Sequence, residues 1–195
     1  LQIKYSNNTK AKSKKDQEQF YNILKKTKIL WINQQKPNGF GDAVQYAKSF
    51  VGNEEFLVSA GDTLIPESQN VMNRLMKTKL DGNNDALIIL KEVTDPKRFG
   101  VAVVSNTKTG LLAKNVEEKP VKPKSNLAIV ALYRFKPSIF TALAEVKHGN
   151  DELQLTDAIQ RLIDRGGKVR AVLMNKNDKV IDVGTAESYL DTFRL

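Results

Sequence analysis

Apolar positions along this chain switch repeatedly between helical and strand spacing. Lys14–Lys26 places Phe20, Ile23 and Leu24 on one helical face, so an amphipathic helix is expected there. Ile29–Asn33 is a short apolar run that reads as a buried strand, broken by Pro37-Asn38-Gly39. Asp42–Phe50 is helical in pattern, and Glu55–Ala60 reads as a strand running into Gly61-Asp62. Asn70–Leu80 returns to helical spacing. Ala86–Val93 and Val101–Ser105 read as strands, with Asn106–Gly110 as a turn between Val104 and Leu111.

The second half continues the alternation. Asn126–Phe135 is a strand long enough to be central. Pro137–Val146 and Gln154–Arg165 read as helices, the latter closed by Gly166-Gly167. Val169–Met174 and Lys179–Val183 are expected to pair across Asn175–Asp178 as a hairpin, before a last helix that starts after Gly184-Thr185 and runs through Phe193. Such alternation predicts an α/β layer fold with a largely parallel sheet. No repeat or shift in composition divides the chain, so residues 1–195 are expected to form a single domain.

Composition adds exclusions. The 195 residues are enough for one core, and 41% apolar with 27% charged residues suits a globular protein. The longest apolar runs, such as Leu127–Leu132, are strand-sized and far too short to cross a bilayer. No charged start followed by an apolar core suggests a secretory signal. The lack of cysteine excludes disulfides and thiolate metal sites and fits a cytoplasmic protein. Residues 1–36 carry nine lysines against Asp16 and Glu18, which concentrates most of the net charge of +9 there. With no arginine and no recognisable nucleic-acid module, this lead reads as a solvated helix face, and nucleic acid is not the expected partner. The chain opens with Leu1 and passes into the loop-like Ser6-Asn7-Asn8-Thr9, which raises the expectation of a processed or incomplete chain.

Candidate chemistry gathers at strand ends, where open α/β sheets bind ligands. Glu117-Glu118-Lys119-Pro120 leads into the mostly apolar Leu127–Tyr133. Two acids and a lysine held by a strand are the set a phosphorylated sugar requires: acceptors for hydroxyls and a cation for phosphate. Asp62 follows one strand and Asp182 ends another; two such carboxylates suit Mg2+, which takes few protein ligands. The lone histidine, His148, lies in a turn-like context and reads as a surface residue.

These residues occur in an order that resembles the hexose-1-phosphate nucleotidyltransferases. Gln34 and Gly39, followed by Asp42-Ala43, are similar to that family's base-recognition loop. Gly61-Asp62 resembles its metal aspartate, Asp95–Val101 with Gly100 its sugar-contacting segment, and Glu117–Tyr133 its sugar-phosphate strand. Glu152-Leu153-Gln154-Leu155-Thr156-Asp157 resembles a helix start of the family, and Ile181–Thr185 the segment of its second metal aspartate. The resemblance implies a three-layer α/β/α, Rossmann-like fold with a mixed, mostly parallel sheet. It implies Mg2+-dependent nucleotidyl transfer from UTP or dTTP to a hexose 1-phosphate, glucose 1-phosphate foremost. Lys119 would hold the sugar phosphate, Glu118 accept from sugar hydroxyls, and Gly100, Ile129 and Tyr133 line the sugar pocket. Gln34 and Gly39 would contact the base, and Asp62 and Asp182 the metal.

Two departures from the family pattern stand out. Ala131 occupies a position where the family usually has glycine, which narrows the expected pocket by a methyl group. The family's Gly-x-Gly-Thr-Arg triphosphate loop does not occur among these residues. An N-terminally incomplete domain is therefore expected, with little turnover as it stands and association into homo-oligomers through an unpaired sheet edge. The alternatives are a sugar-phosphate-binding or regulatory module without turnover, and a basic nucleic-acid-binding domain.

Overall fold

The computed structural model describes residues 11–66, 70–80, 82, 84–147 and 152–192. His148 lies outside them. The chain falls into two compact units, Leu1–Asn33 and Gln34–Leu195. The first contains helix α1 (Ala11–Lys26), with Thr27 Oγ1 donating to the Ile23 carbonyl beyond its last turn. Ile29–Asn33 forms neither a strand nor part of a core. Ile29, Leu30, Trp31 and Ile32 are all exposed, Trp31 at 92%. The run has strand composition, but no partner edge pairs with it among the described residues, and an unpaired strand is not a stable element.

The second unit is a three-layer α/β/α structure. Its elements are α2 (Phe40–Gln45), α3 (Lys48–Val51), β1 (Phe56–Ser59), β2 (Thr63–Leu64), α4 (Val71–Lys77) and β3 (Asn84–Glu92). They continue with β4 (Gly100–Thr107), β5 (Gly110–Glu118), β6 (Leu127–Phe135), α5 (Ser138–Glu145), α6 (Leu155–Asp164), β7 (Lys168–Leu173), β8 (Ile181–Asp182) and α7 (Ala186–Thr192). Among the described residues no helix is long and apolar enough to cross a membrane.

The apolar alternation within strands sorts side chains to two cores. Ala86, Ile88 and Leu90 of β3 join Ile129, Tyr133 and Phe135 of β6 against α5 and α6. Leu87 and Ile89, with Val130 and Leu132, face Val71 and Leu75 of α4 instead. Because β3 is covered on both faces, its sequence is a continuous apolar run, and residues 86–90 are wholly buried.

The sheet is mixed, with order β1-β6-β3-β7-β5-β4, but it is not mostly parallel. Only β3 and β7 pair in parallel; the other ladders are antiparallel. Strands β1, β3, β4 and β7 do run the same way, and of these only β1 and β3 are joined directly through a helix, α4. The two opposed strands, β6 and β5, sit between members of that set and convert parallel neighbours into antiparallel ones. The alternating pattern thus fixes neither strand direction nor the choice of neighbours: β6 and β7 are joined through α5 and α6 and run opposed.

The expected hairpin of Val169–Met174 with Lys179–Val183 does not form. Both edges of β7 are taken, by β3 and β5. The connection is held instead by Asp178, which accepts from the Asn175 N–H at 2.8 Å and pairs with Arg74 at 2.8 Å. It delivers β8 to β2 as a separate two-stranded ladder.

Candidate active site

One wall of the site grows from the β4–β5 hairpin. The register sets Gly100 opposite Glu118. The Lys119 N–H then donates to the Phe99 carbonyl at 3.0 Å, which ties the end of β5 to the 3₁₀ turn Pro96–Arg98. Lys119 holds φ at +41°, in the left-handed region, although the residue before a proline is ordinarily pushed toward extended conformations. Beside this wall, β6 contributes Ile129, Ala131 and Tyr133 to a cleft of about 560 Å3. The start of α6, the β2–β8 ladder and Phe40 of α2 complete it. Gly100, Glu118, Lys119, Ile129, Tyr133, Asp62 and Asp182 therefore share one cleft.

Gln34 and Gly39 come together, but not on the cleft wall. The Gln34 amide donates to Asp42 Oδ2 at 2.6 Å and to the Gly39 carbonyl at 3.2 Å. Its donors are thus used to brace the loop that leads into α2. Gly39 packs at φ +103° against the backbone of Leu153. The residue of this loop that reaches the cleft is Phe40, whose ring lies 6.3 Å from that of Tyr133.

Asp62 and Asp182 are separated by 120 positions in sequence yet adjacent in space. Thr63 pairs with Asp182 in the β2–β8 register, and the Val183 N–H donates to the Asp62 carbonyl at 2.8 Å. Asp182 Oδ1 accepts from the Gly184 N–H at 2.9 Å, which fixes the carboxylate's orientation. Both residues are exposed to the cleft. Among the described residues no group of three or more His, Cys, Asp or Glu side chains could hold a metal. A pair of hard oxygen donors of this kind suits an ion that completes its shell with water and phosphate, as Mg2+ does.

Three features escape reasoning from strand ends. Thr156, the second residue of α6, is buried and donates to Glu118 Oε2 at 2.7 Å. Lys91 and Arg98 also line the cleft, and neither forms an ion pair among the described residues. A basic residue within an apolar strand, as Lys91 is in β3, is the signal that was available for that position.

The electrostatics favour a neutral phenol at Tyr133. Burial, and then the nearby Glu118 charge, push its pKa far above the usual value near 10. Tyr133 therefore remains a neutral hydrogen-bonding group across the ordinary pH range. Burial also raises the Asp157 carboxyl above its ordinary range. The folded state then keeps this proton to higher pH than the unfolded chain does, so Asp157 disfavours folding once pH exceeds the unfolded pKa.

Known proteins resemble this chain in sequence and in fold. Over 169 residues the chain is 34% identical to the glucose-1-phosphate thymidylyltransferase of Streptomyces griseus, covering 86% of this chain and 45% of that protein. It is 34% identical over 186 residues to the UTP–glucose-1-phosphate uridylyltransferase of Mycoplasma pneumoniae, covering 90% and 63%. The chain thus spans about half to under two thirds of the length of these relatives. A UDP-glucose pyrophosphorylase solved with UDP-glucose superposes with a TM-score of 0.83 at 26% identity, over 96% of this chain and 72% of that one. The family model described as nucleotidyl transferase matches residues 4–195, running through Asp62 and Asp182, β6 and the start of α6 alike, and the chain belongs to that family.

Proposed function

We propose that this chain carries the sugar-phosphate side of a nucleotidyltransferase that joins a nucleotidyl group from UTP or dTTP to a hexose 1-phosphate, most directly glucose 1-phosphate. The observation that carries this reading is the adjacency of Glu118 and Lys119 on the wall of one cleft, with Asp62 and Asp182 in the same cleft. The continuous family match over residues 4–195 supports treating the whole chain as part of one such domain.

In the reaction, an oxygen of the sugar phosphate attacks the α-phosphorus of the triphosphate. A new P–O bond forms as the bond to the β-phosphate oxygen breaks, and the electron pair leaves with pyrophosphate. Both reactants are anions, so catalysis here consists mainly of positioning and of offsetting charge. Lys119 holds the sugar phosphate as a point charge, and Glu118 accepts from sugar hydroxyls. Tyr133 and Ile129 shape the apolar floor, and Ala131 narrows it by one methyl group. Asp62 and Asp182 would hold Mg2+, which neutralises phosphate charge when bound. No side-chain nucleophile is required.

Two measurements test the reading. Calorimetric titration with glucose 1-phosphate is expected to show saturable binding, and pyrophosphate release with UTP or dTTP then measures turnover. Binding without release supports the sugar-phosphate side alone; no binding of any hexose 1-phosphate removes the proposal. Asp62→Asn and Asp182→Asn are each expected to weaken Mg2+ binding about tenfold or more, since each removes one of two charged ligands. Titration with the metal alone checks this, and unchanged affinity in both variants takes the pair out of the metal site.

A further inference from the structure

Glu118 needs a defined orientation to recognise a sugar hydroxyl, and its own strand does not supply one. It is the last residue of β5 and half-buried, with a flexible side chain. The group that fixes it comes from α6. Thr156 is 5% exposed, and its hydroxyl donates to Glu118 Oε2 at 2.7 Å. No other side chain donates to Glu118 among the described residues. Thr156 is itself held in place, because Leu155, Ala158 and Ile159 around it in α6 are buried in the main core.

Gly100 closes the arrangement from β4. A Cβ on Gly100 would lie 2.8 Å from Thr156 Oγ1 and 3.0 Å from Glu118 Oε2. Its backbone φ does not require glycine, so the need for glycine is one of space. The space in question is the room that the Thr156–Glu118 bond occupies. Three residues from three elements thus converge on one carboxylate oxygen.

We infer that Thr156 is a positioning residue, which ties down Oε2 of Glu118 so that Oε1 remains as the acceptor for a hydroxyl of the bound sugar phosphate; this rests on the reading of the cleft given above. A charge-assisted hydrogen bond across buried surface orients the carboxylate at no entropic loss on binding. Gly100 contributes by leaving that bond undisturbed, not by approaching the ligand itself.

The test is a set of calorimetric titrations with glucose 1-phosphate on wild type, Thr156→Val, Thr156→Ser, Glu118→Gln and the Thr156→Val/Glu118→Gln pair. Thr156→Val is expected to weaken binding about tenfold or more, and Thr156→Ser, which keeps the hydroxyl, by no more than about threefold. In the Glu118→Gln background, Thr156→Val should have little further effect, because its action runs through that carboxylate. A purely structural role would lower the melting temperature and weaken binding equally in both backgrounds, and that result overturns the inference. So does wild-type affinity in Thr156→Val. If Thr156→Val does not fold, Gly100→Ala takes its place: it must weaken binding in the wild-type background and not in Glu118→Gln. Failure of the wild-type chain to bind glucose 1-phosphate overturns the functional reading and this inference together, whereas wild-type binding that Glu118→Gln impairs and Thr156→Val does not overturns this inference alone.

Discussion

Gly39→Ala is expected to destabilise the unit of residues 34–195 by about 2–5 kcal/mol, combining overpacking with the strain of a side chain at positive φ. The added Cβ would lie 2.6 Å from the Leu153 carbonyl oxygen, 2.8 Å from its nitrogen and 2.9 Å from the Glu152 Cβ. Two of these are backbone atoms that cannot rotate away. They also belong to the joint between the two loops, where the Leu153 N–H donates to the Asn38 carbonyl at 2.7 Å and the Gly41 N–H to the Leu153 carbonyl at 2.8 Å. Opening that joint moves the start of α2, and with it Phe40, away from Tyr133 in the cleft. Urea denaturation of the variant measures the loss. A decrease below about 0.5 kcal/mol would show that the joint yields freely and does not hold α2 in place. Affinity for glucose 1-phosphate should fall in parallel, since Phe40 lines the cleft.

Gly39 also shows what a sequence can and cannot convey. Its place after Pro37-Asn38 marks a turn, and family resemblance assigns that loop to base recognition. That the glycine is required by contact with Leu153, 114 positions later, is a tertiary fact that no local pattern contains. The strand cores are different. The run Ala86–Leu90 is apolar at every position because both faces are covered, and that composition is legible directly. The length of β6 and the amphipathic face of α6 are legible in the same way. Neighbour choice is not: the period of a strand states which face is buried, and says nothing of which strand lies beside it. Hence β8 was expected beside β7 and is found beside β2, where it brings Asp182 to Asp62. Ile29–Ile32 has the composition of a strand, yet pairing depends on an available edge. Thr156 is legible only as part of a helix-start motif; its bond to Glu118 is not, because a threonine near a helix start ordinarily serves the helix itself.

Lys119→Ala is expected to weaken glucose 1-phosphate binding by about 1.5–3 kcal/mol, or about 10- to 150-fold. Lys119 lines the cleft beside Glu118, and it forms no ion pair among the described residues that would divert its charge from a ligand. Its backbone makes the stronger case. A lysine at φ +41° sits in a region that costs a non-glycine residue about 1–2 kcal/mol, and glycine would occupy it without penalty. The conformation is held from outside by the bond to the Phe99 carbonyl and by the buried Pro120 that follows. Strain retained at a cleft-lining cation is what a residue kept for binding at the expense of stability would show. Stability and binding should therefore separate in the substitutions. Lys119→Gly should bind as weakly as Lys119→Ala, because both lack the ammonium, yet exceed it in stability by about 1 kcal/mol, because only glycine relieves the φ. Titration and urea denaturation of the same two proteins read both quantities. Equal stability of the two would mean that the backbone at 119 relaxes when the side chain is lost, and affinity unchanged in both would place the phosphate elsewhere in the cleft, with Lys91 and Arg98 as the remaining cations on its wall.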